Sequence, residues 1–388
     1  MNNSYLAFLQ CSGCGKDYSY EQIQTFCPSC QSPLLARYDL ETIRKQLDRD
    51  QVRQRKQGMW RWHELLPVLK ESNFITLGEG DTSLLLLPRL GKTLGLFHLY
   101  IKDKSGNPTG SFKARGLSAA VSKAKELGIK KVIIPTAGNA GGAMAAYAAR
   151  AGMQAYIYMP KDTPIANIEE SRIFGAEVVL VDGLISDAAR LAGKKAINEG
   201  WFDLSTFKEP YRVEGKKIMG YELADSFNWE LPDVIIYPTG GGTGLVGMWK
   251  AFEELEALGW LDRVKRPRMV SVQADGCAPV LKAFEAGASS CEFWPAAHTI
   301  ASGLRVPKSF ADHLILENIY ASKGTAISVS DESILDAQHQ LGSMEGIFSS
   351  PEGAATVATL KELVKSGWVN ADERIVLFNT GSGLKYLD

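Results

Sequence analysis

The stretch that decides the fold covers residues 102–116 and reads Lys-Asp-Lys-Ser-Gly-Asn-Pro-Thr-Gly-Ser-Phe-Lys-Ala-Arg-Gly. Its asparagine, proline and glycine at 107–110 predict a tight turn after the short apolar segment 97–101. Ser111 is then placed to cap a helix that begins at Lys113. Because the positive end of a helix disfavours an ammonium, we expect Lys113 to have a lowered pKa or a fixed anionic partner. Either outcome suits Schiff-base chemistry, although a lysine taken at random is more often simply solvated.

The composition is typical of a globular enzyme. The 388 residues include 43 basic and 44 acidic side chains, and 45% are hydrophobic, which predicts two or three folding units. The sequence has no basic tract for nucleic acid and no lysine-rich amphipathic helix for a membrane surface, so neither partner is predicted. The longest aliphatic run, at 84–87, is too short to span a bilayer, and the first ten residues do not resemble a signal peptide. We therefore expect a cytoplasmic protein.

The N-terminal segment carries two pairs of cysteines, Cys11-Ser-Gly-Cys14 and Cys27-Pro-Ser-Cys30, with twelve residues between them. Each pair lies in a predicted turn, which lets its thiolates reach one tetrahedral zinc ion at about 2.3 Å. A redox disulfide would explain one pair and leave the other without a role, and four unrelated buried thiols are a weaker explanation still. We predict a zinc ribbon over residues 1–40, with a structural ion, because four sulfurs leave no open position for a substrate.

Residues 41–76 are predicted to form a helical connector that ends in Trp60-Arg-Trp62-His63, with His63 as a packing residue rather than a catalytic one. From residue 77 to 388, short apolar runs alternate with helical patterns. Strands are predicted at 131–135, 155–159, 176–181, 233–237, 269–274, 326–330 and 374–378. Helices are predicted at 141–151, 186–199, 245–258, 331–341 and 353–365.

This alternation predicts an α/β fold with parallel sheets, helices on both faces, and ligands at the carboxyl ends of the strands. Two subdomains are expected in the core. The first, at about 100–205, bears Lys113, and the second, at about 206–388, bears a glycine-rich loop. The boundary between them is placed near residues 205–210.

Asn139 follows the strand at 131–135 in the sequence Thr136-Ala-Gly-Asn139 and opens an alanine-rich helix. A turn of this kind places backbone amides and an asparagine amide at a strand end, where a planar ligand could bind. The simpler alternative is that Asn139 only caps its helix.

The glycine-rich loop follows the strand at 233–237 and reads Gly240-Gly241-Gly242-Thr243-Gly244. Glycines let successive backbone N–H groups converge on an anion at a helix N-terminus, which predicts a phosphate cradle. No Gly-Lys-Ser/Thr follows, and the spacing of a dinucleotide-binding motif is absent. A phosphate cradle combined with an activatable lysine and an asparagine turn indicates pyridoxal phosphate.

Thr380 and Ser382 follow the last predicted strand, in Asn379-Thr-Gly-Ser-Gly383. A hydroxyl at this strand end could contact the pyridine nitrogen of the cofactor. Unlike a carboxylate, it would not force that nitrogen to be protonated, and the weaker electron withdrawal favours elimination and replacement over transamination. The alternative is a C-terminal turn with incidental polar residues.

The motifs together resemble the fold type II (tryptophan synthase β-like) lyases that depend on pyridoxal phosphate, and within them the threonine synthase family. The resemblance covers about residues 75–388. It is carried by Gly78-Glu-Gly-Asp-Thr82, Asn107-Pro-Thr-Gly-Ser-Phe-Lys113-Ala-Arg-Gly, Ala137-Gly-Asn139, the loop 240–244, Gly346-Ile-Phe with Pro351-Glu-Gly-Ala-Ala, and Thr380-Gly-Ser-Gly-Leu-Lys385. A four-cysteine N-terminal segment also resembles one found in some members of this family.

The resemblance implies specific roles for residues of this chain. Lys113 would carry the cofactor and afterwards move the substrate's Cα proton, Asn139 would contact the ring hydroxyl, residues 240–244 would bind the phosphate, and Thr380 would face the pyridine nitrogen. Substrate contacts are expected from Thr136, Arg212 and Lys217. Arg212 would grip the substrate phosphate, and Lys216 or Lys217 could assist it. In the family, O-phosphohomoserine loses its γ-phosphate and water adds at Cβ to give L-threonine. A homodimer is expected from the resemblance alone.

The sequence departs from the family pattern at Ala114, Ala137 and Ser382, where the family usually has aspartate, a hydroxyl residue and histidine. The form Lys113-Ala114 is closer to threonine and serine dehydratases. The leading hypothesis is an enzyme of the threonine synthase type acting on a phosphorylated amino acid. The alternatives are a threonine/serine ammonia-lyase or an enzyme of β-replacement on O-phosphoserine. A zinc-ribbon scaffold with a retired catalytic domain ranks lower, because all the expected cofactor contacts are present.

Overall fold

The computed structural model describes residues 3–387. Thirteen strands lie within them: β1 (Leu6–Cys11), β2 (Asp17–Tyr18), β3 (Leu34–Tyr38), β4 (Leu84–Leu86), β5 (His98–Asp103), β6 (Lys131–Pro135), β7 (Gln154–Pro160), β8 (Glu177–Val181), β9 (Phe202–Asp203), β10 (Val234–Pro238), β11 (Arg268–Ala274), β12 (Thr325–Val329) and β13 (Arg374–Asn379).

The same residues form thirteen α-helices: α1 (Leu40–Gln46), α2 (Arg49–Arg53), α3 (Pro88–Leu94), α4 (Lys113–Glu126), α5 (Ala140–Ala151), α6 (Ile165–Ile173), α7 (Ile185–Glu199), α8 (Arg212–Ser226), α9 (Thr243–Leu258), α10 (Pro279–Glu285), α11 (Asp312–Ala321), α12 (Asp331–Glu345) and α13 (Pro351–Lys365). Short 3₁₀ helices cover Met59–Leu65, Glu71–Asn73, Pro108–Gly110 and Gly383–Tyr386. No helix described here has the length and apolar character needed to cross a bilayer.

The strands form three sheets. An N-terminal antiparallel sheet has the order β2-β1-β3. A six-stranded sheet has the order β12-β11-β10-β13-β5-β4 and is parallel except for β4, and a parallel four-stranded sheet has the order β8-β7-β6-β9. The predicted α/β fold with parallel sheets is therefore confirmed.

The seven predicted strands all exist, each within one residue of its predicted ends. They were predictable because strands buried in parallel sheets are near-continuous apolar runs, as in β10, where every residue is buried. The predicted division of the core differs from the sheet topology, because β5 pairs in parallel with β13 in the six-stranded sheet. The four-stranded sheet takes only residues between 131 and 203, so the chain enters it after Lys113 rather than near residue 100.

Two local expectations are modified by the structure. The N-cap of α4 is Phe112 rather than Ser111, whose hydroxyl instead accepts a hydrogen bond from the Lys113 N–H at 3.4 Å. The helical connector is divided into α1, α2 and two 3₁₀ helices. His63 is a packing residue as expected, since its Nδ1 donates to the backbone carbonyl of Asn3 at 2.8 Å.

Candidate active site

A cavity of about 250 Å³ lies at the carboxyl ends of β6, β10 and β13, the edge where parallel sheets bind ligands. The loops after these strands and the start of α4 form its walls. The predicted site residues that line it are Lys113, Thr136, Asn139, Arg212, Gly240, Gly241, Gly242, Thr243, Gly244 and Thr380. The fold thus brings together side chains from both ends of the catalytic region.

Lys113 opens α4 directly after the 3₁₀ turn Pro108–Gly110, in which Gly110 has a φ of 60°. Burial and, to a smaller extent, the positive charge of Arg212 lower the pKa of Lys113 to about 8, while Glu352 acts in the opposite direction. Within the described residues its amine forms no ion pair. The lowered pKa was expected, and its largest cause is burial. A partly neutral amine is therefore available inside the cavity.

Asn139 stands at the N-cap of α5, but its side chain makes no capping hydrogen bond. Its Nδ2 donates to the phenol oxygen of Tyr386 at 3.2 Å, and its buried Oδ1 has no partner among the described residues. A buried amide oxygen without a partner is costly unless a ligand supplies one. The geometry therefore favours a ligand contact over the simpler capping role.

The glycine-rich loop joins β10 to α9, and Gly242 adopts a φ of 80°, a conformation that favours glycine. A Cβ at Gly244 would collide with the Tyr237 hydroxyl, so the loop approaches its own strand closely. The backbone N–H groups of residues 240–244 donate no hydrogen bond to the part of the chain that the structure describes. Free N–H donors at the N-terminus of a 16-residue helix form a site suited to a phosphate.

Thr380 follows β13 and is buried, and its carbonyl accepts a hydrogen bond from the Phe112 N–H at 2.9 Å. This bond fixes the end of β13 beside the turn that carries Lys113. Thr136 lies at the end of β6, where its hydroxyl accepts from the Gly138 N–H at 3.2 Å. Both hydroxyl residues therefore reach the cavity from strand ends, as the parallel topology predicts.

Arg212 begins α8 and is 2% exposed. Its guanidinium donates to the Leu204 carbonyl at 2.6 Å, and its buried Nε has no partner among the described residues. Burial lowers the pKa of this guanidinium, and no carboxylate in the described chain forms an ion pair with it. Arg212 is therefore a fixed cation facing the cavity.

The structure does not bring Lys217 to the cavity. Its ammonium is fully buried 2.7 Å from Glu214 and 2.9 Å from Glu254, and Lys217 does not belong to the cavity lining. Lys216 is also outside the cavity lining, and its ammonium donates to the carbonyl of Phe112. The sequence prediction placed both near the substrate because it could not show which face of α8 each occupies.

Two residues of the cavity wall received no role from the sequence. Glu352 lies in the first turn of α13, where its Oε1 accepts from the Gly303 N–H at 2.7 Å. Tyr386 lies in the last 3₁₀ helix and donates its phenol proton to the same Oε1 at 2.8 Å. The sequence did contain a signal for Glu352, because it is an acidic residue at the start of a helix, just after the cap Ser350. No local sequence pattern indicated a role for Tyr386.

The four N-terminal cysteines form a second group of candidate ligands. One Sγ atom from each of Cys11, Cys14, Cys27 and Cys30 lies within 4.8 Å of the others. The Cys14 and Cys27 sulfurs are 3.7 Å apart, far beyond a disulfide bond of about 2.05 Å. Four sulfurs at about 2.3 Å from one ion would be separated by roughly 3.8 Å, so the cluster has the dimensions of a tetrahedral site.

The residues of the cavity fit pyridoxal phosphate. The cofactor has an aldehyde, a ring hydroxyl, a pyridine nitrogen and a phosphate. The cavity offers a partly neutral amine, an unpartnered amide oxygen, a strand-end hydroxyl and a row of free N–H groups. Each of these features was expected from the sequence, and the structure places them around one space.

Comparison with known proteins agrees with this geometry. Residues 75–381 match the family model described as pyridoxal-phosphate dependent enzyme. The threonine synthase of Methanocaldococcus jannaschii is 37% identical over 377 residues, which cover 97% of this chain and 92% of that protein. The threonine synthase of Mycobacterium tuberculosis is 33% identical over 327 residues, covering 84% of this chain and 87% of the other.

Among solved structures, the processed form of threonine deaminase isoform 2 from Solanum lycopersicum superposes with a TM-score of 0.68 at 22% identity. The match covers 87% of this chain and 90% of that one, and at this identity it shows the fold alone. The fold is that of fold type II enzymes, and the protein is a lyase that depends on pyridoxal phosphate. The chain belongs to the threonine synthase family of pyridoxal-phosphate-dependent enzymes.

Proposed function

We propose that this protein is a threonine synthase, which converts O-phospho-L-homoserine and water to L-threonine and phosphate. The observation that carries the proposal is a single cavity containing the Lys113 amine and, against it, the buried Arg212 guanidinium without an ion-pair partner. A fixed buried guanidinium suits a phosphate dianion, because charge-assisted bonds to it are strong in a site with little water. The curated relatives in the comparison support the same assignment.

The cofactor contacts follow from the groups around the cavity. Lys113 would hold the aldehyde carbon, Asn139 the ring hydroxyl, Thr380 the pyridine nitrogen, and the N–H groups of residues 240–244 the phosphate. When bound, pyridoxal phosphate supplies an electron sink that stabilises negative charge at the substrate Cα. The protein's task is to hold the substrate and to move protons at defined atoms.

Lys113 is the residue we assign to proton transfer. Its pKa of about 8 leaves a useful neutral fraction near neutral pH, so the freed amine can accept the Cα proton and return it later. Arg212 would hold the γ-phosphate of the substrate. The Thr136 hydroxyl, which directly follows β6, would bind other polar groups of the substrate. Lys217 has no part in this assignment, because both of its carboxylate neighbours enclose it away from the cavity.

A second candidate is a threonine/serine ammonia-lyase, and two observations favour it. Lys113 is followed by Ala114, a form closer to threonine and serine dehydratases than the aspartate usual in the family. Ala137 in the cavity wall also lacks the hydroxyl that the family usually has there, so one expected donor for the substrate phosphate or carboxylate is absent. A related possibility is β-replacement on O-phosphoserine, for which Arg212 would serve equally well. The reactions differ in whether phosphate or ammonia leaves.

The test is product analysis with purified enzyme loaded with pyridoxal phosphate. With O-phospho-L-homoserine we expect equal amounts of phosphate and L-threonine, and with L-threonine or L-serine little ammonia or 2-oxo acid. The Lys113→Ala variant is the control for contaminating phosphatase. Absence of phosphate from O-phospho-L-homoserine would overturn the proposal. Ammonia as the main product would support the lyase. Phosphate released from O-phosphoserine but not from O-phospho-L-homoserine, in the presence of an added sulfur nucleophile and without ammonia, would support β-replacement.

We also make proposals about the metal, the cellular location and the oligomeric state of the protein. The cysteine cluster would bind one structural Zn²⁺, supported by its tetrahedral dimensions and by the Tyr18 hydroxyl, 3.1 Å from the Cys27 sulfur, as an outer hydrogen-bond partner. We also propose a cytoplasmic location and, on the family resemblance alone, a homodimer. Metal analysis of the wild type and of Cys11→Ser and Cys27→Ser tests the zinc, and unchanged metal content in both variants would contradict it. Light scattering tests the dimer.

A further inference from the structure

The last turn of the chain contacts both subdomains at the cavity. Tyr386 lies in the 3₁₀ helix Gly383–Tyr386, only two residues before the end of the sequence. Its phenol accepts a hydrogen bond from Asn139 Nδ2 at 3.2 Å and donates one to Glu352 Oε1 at 2.8 Å. Asn139 follows β6 of the four-stranded sheet, whereas Glu352 opens α13 beside the six-stranded sheet. One hydroxyl group therefore joins residues of the two subdomains.

The order of these hydrogen bonds fixes the orientation of the Asn139 amide. A carboxylate oxygen can only accept, so the phenol proton goes to Glu352 and the phenol oxygen is left as an acceptor. The Asn139 group that faces this oxygen must then be the NH₂ group. One N–H is used by Tyr386, and the amide oxygen, together with the second N–H, is left for a ligand. The Asn139 Oδ1 is indeed buried and without a partner among the described residues.

The turn itself is held firmly on both sides. The Lys385 ammonium lies 2.5 Å from Glu170 Oε2, in an ion pair whose side chains are only 13% and 15% exposed. The Ser382 N–H donates to the carbonyl of Gly110, in the turn that precedes Lys113, at 2.9 Å. Glu352 is fixed in turn by the Gly303 N–H. A side chain held between such anchors can impose its geometry on Asn139.

We propose that Tyr386 is a positioning residue that holds the Asn139 amide in the orientation needed to bind pyridoxal phosphate. It acts through Asn139 and contacts no reacting atom. The proposal rests on cofactor binding in this cavity, and it does not depend on which amino acid is the substrate. Its test can therefore fail while the threonine synthase assignment stands. Equally, the threonine synthase assignment can fail while the role of Tyr386 stands.

The first experiment measures cofactor binding by the apoprotein without any amino acid. Tyr386→Phe removes only the hydroxyl, so Asn139 loses its partner while the aromatic ring and Glu352 stay. Because one net hydrogen bond is at stake, we expect the dissociation constant for pyridoxal phosphate to rise roughly three- to tenfold. The absorption maximum of the bound cofactor should also shift, because the contact at its ring hydroxyl is altered. The matched control is Tyr320→Phe, which also deletes a phenol hydrogen bond, here to the Ala288 carbonyl at 2.9 Å, but away from the cavity. It should leave both readouts unchanged.

The second experiment separates positioning from general stability. Tyr386→Phe is combined with Asn139→Ala, in which Lys113 still binds the cofactor. If Tyr386 acts through Asn139, Tyr386→Phe causes no further loss of cofactor affinity in the Asn139→Ala background. If Tyr386→Phe caused the same loss in the wild type and in Asn139→Ala, the proposal would be overturned, since a merely structural role does not depend on Asn139. An unchanged dissociation constant in the single variant Tyr386→Phe would overturn it as well.

Discussion

Two lysines on neighbouring helices both have a lowered pKa, but their surroundings differ. Burial lowers the pKa of Lys113 to about 8 and that of Lys217 to about 8. Lys113 lines an open cavity, and within the described residues it forms no ion pair. Lys217 is enclosed between Glu214 and Glu254. A shifted pKa alone therefore does not distinguish the two amines. Our proposal of Lys113 as the reactive amine rests on its access to a ligand space and on the absence of a carboxylate partner.

The surroundings of Lys217 form a closed charge cluster between α8, α9 and β3. Lys250 lies 3.1 Å from Glu214 and 2.5 Å from Glu254, so two lysines face two glutamates. The Tyr38 hydroxyl donates to Glu214 at 2.9 Å, which satisfies a further lone pair. Charges buried in this way hold helices in one arrangement. Among the described residues, unpartnered buried atoms occur in both regions, Glu214 Oε1 in the cluster and Asn139 Oδ1 and Arg212 Nε at the cavity, but only Asn139 and Arg212 belong to residues that line a ligand space.

The largest expected effect is that of Lys113→Ala. Without the amine the cofactor cannot be attached covalently, and proton transfer at Cα loses its base. We expect product formation to fall by a factor on the order of 10³ or more, with loss of the visible absorption of the lysine-bound cofactor. Phosphate release and absorption spectra of the loaded protein measure both. If the variant kept the wild-type rate of phosphate release or the wild-type visible absorption, the reactive amine would belong to another residue.

Lys217→Met should act on stability instead. It leaves Glu214 and Glu254 with one cation between them in a dry environment, which costs about 3–5 kcal/mol of unfolding free energy. Urea denaturation measures the loss, and cofactor binding by the folded fraction should be retained. If stability were unchanged and only the KM for the phosphorylated substrate rose, Lys217 would be the substrate contact that the sequence suggested.

The pH dependence of cofactor attachment sharpens the comparison further. The attacking amine must be neutral, and a pKa of about 8 leaves roughly a tenth of Lys113 neutral at pH 7. The attachment rate of the apoprotein should therefore rise about fivefold between pH 7 and 8 and level off above pH 9. Stopped-flow absorbance between pH 6.5 and 10 gives the profile. A rate that kept rising tenfold per pH unit through pH 10 would indicate an ordinary exposed lysine.

Loss of the cysteine cluster should have the smallest effect on the cavity. Phe26 packs edge-on against Phe310, a residue of the cavity wall, with ring centroids 5.6 Å apart, and Ser12 Oγ lies 3.1 Å from His313 Nε2. Cys27→Ser should lower the thermal midpoint, because metal binding contributes to folding. We expect at most a few-fold weaker cofactor binding, of the size of one lost packing contact. Complete loss of cofactor binding in a folded Cys27→Ser protein would contradict this separation of the two regions.

The sequence predicted what local patterns determine. Continuous apolar runs located the strands, and the turn before Lys113 and the loop 240–244 located two halves of the site. Partners that depend on distant segments were not predictable. The pairing of β5 with β13, the enclosure of Lys217 by Glu254 of α9, and the contact of Tyr386 with Asn139 each join residues far apart in the chain. An amphipathic pattern could not orient α8, since it is buried along nearly its whole length.

The most direct test of the account is to locate the lysine that carries the cofactor. The loaded protein is reduced with borohydride, digested, and its peptides are mapped by mass spectrometry. We expect the reduced cofactor on Lys113, at close to one per chain. Label on Lys216 or Lys217, or no label on a protein that still shows the visible absorption of the bound cofactor, would contradict the central claim.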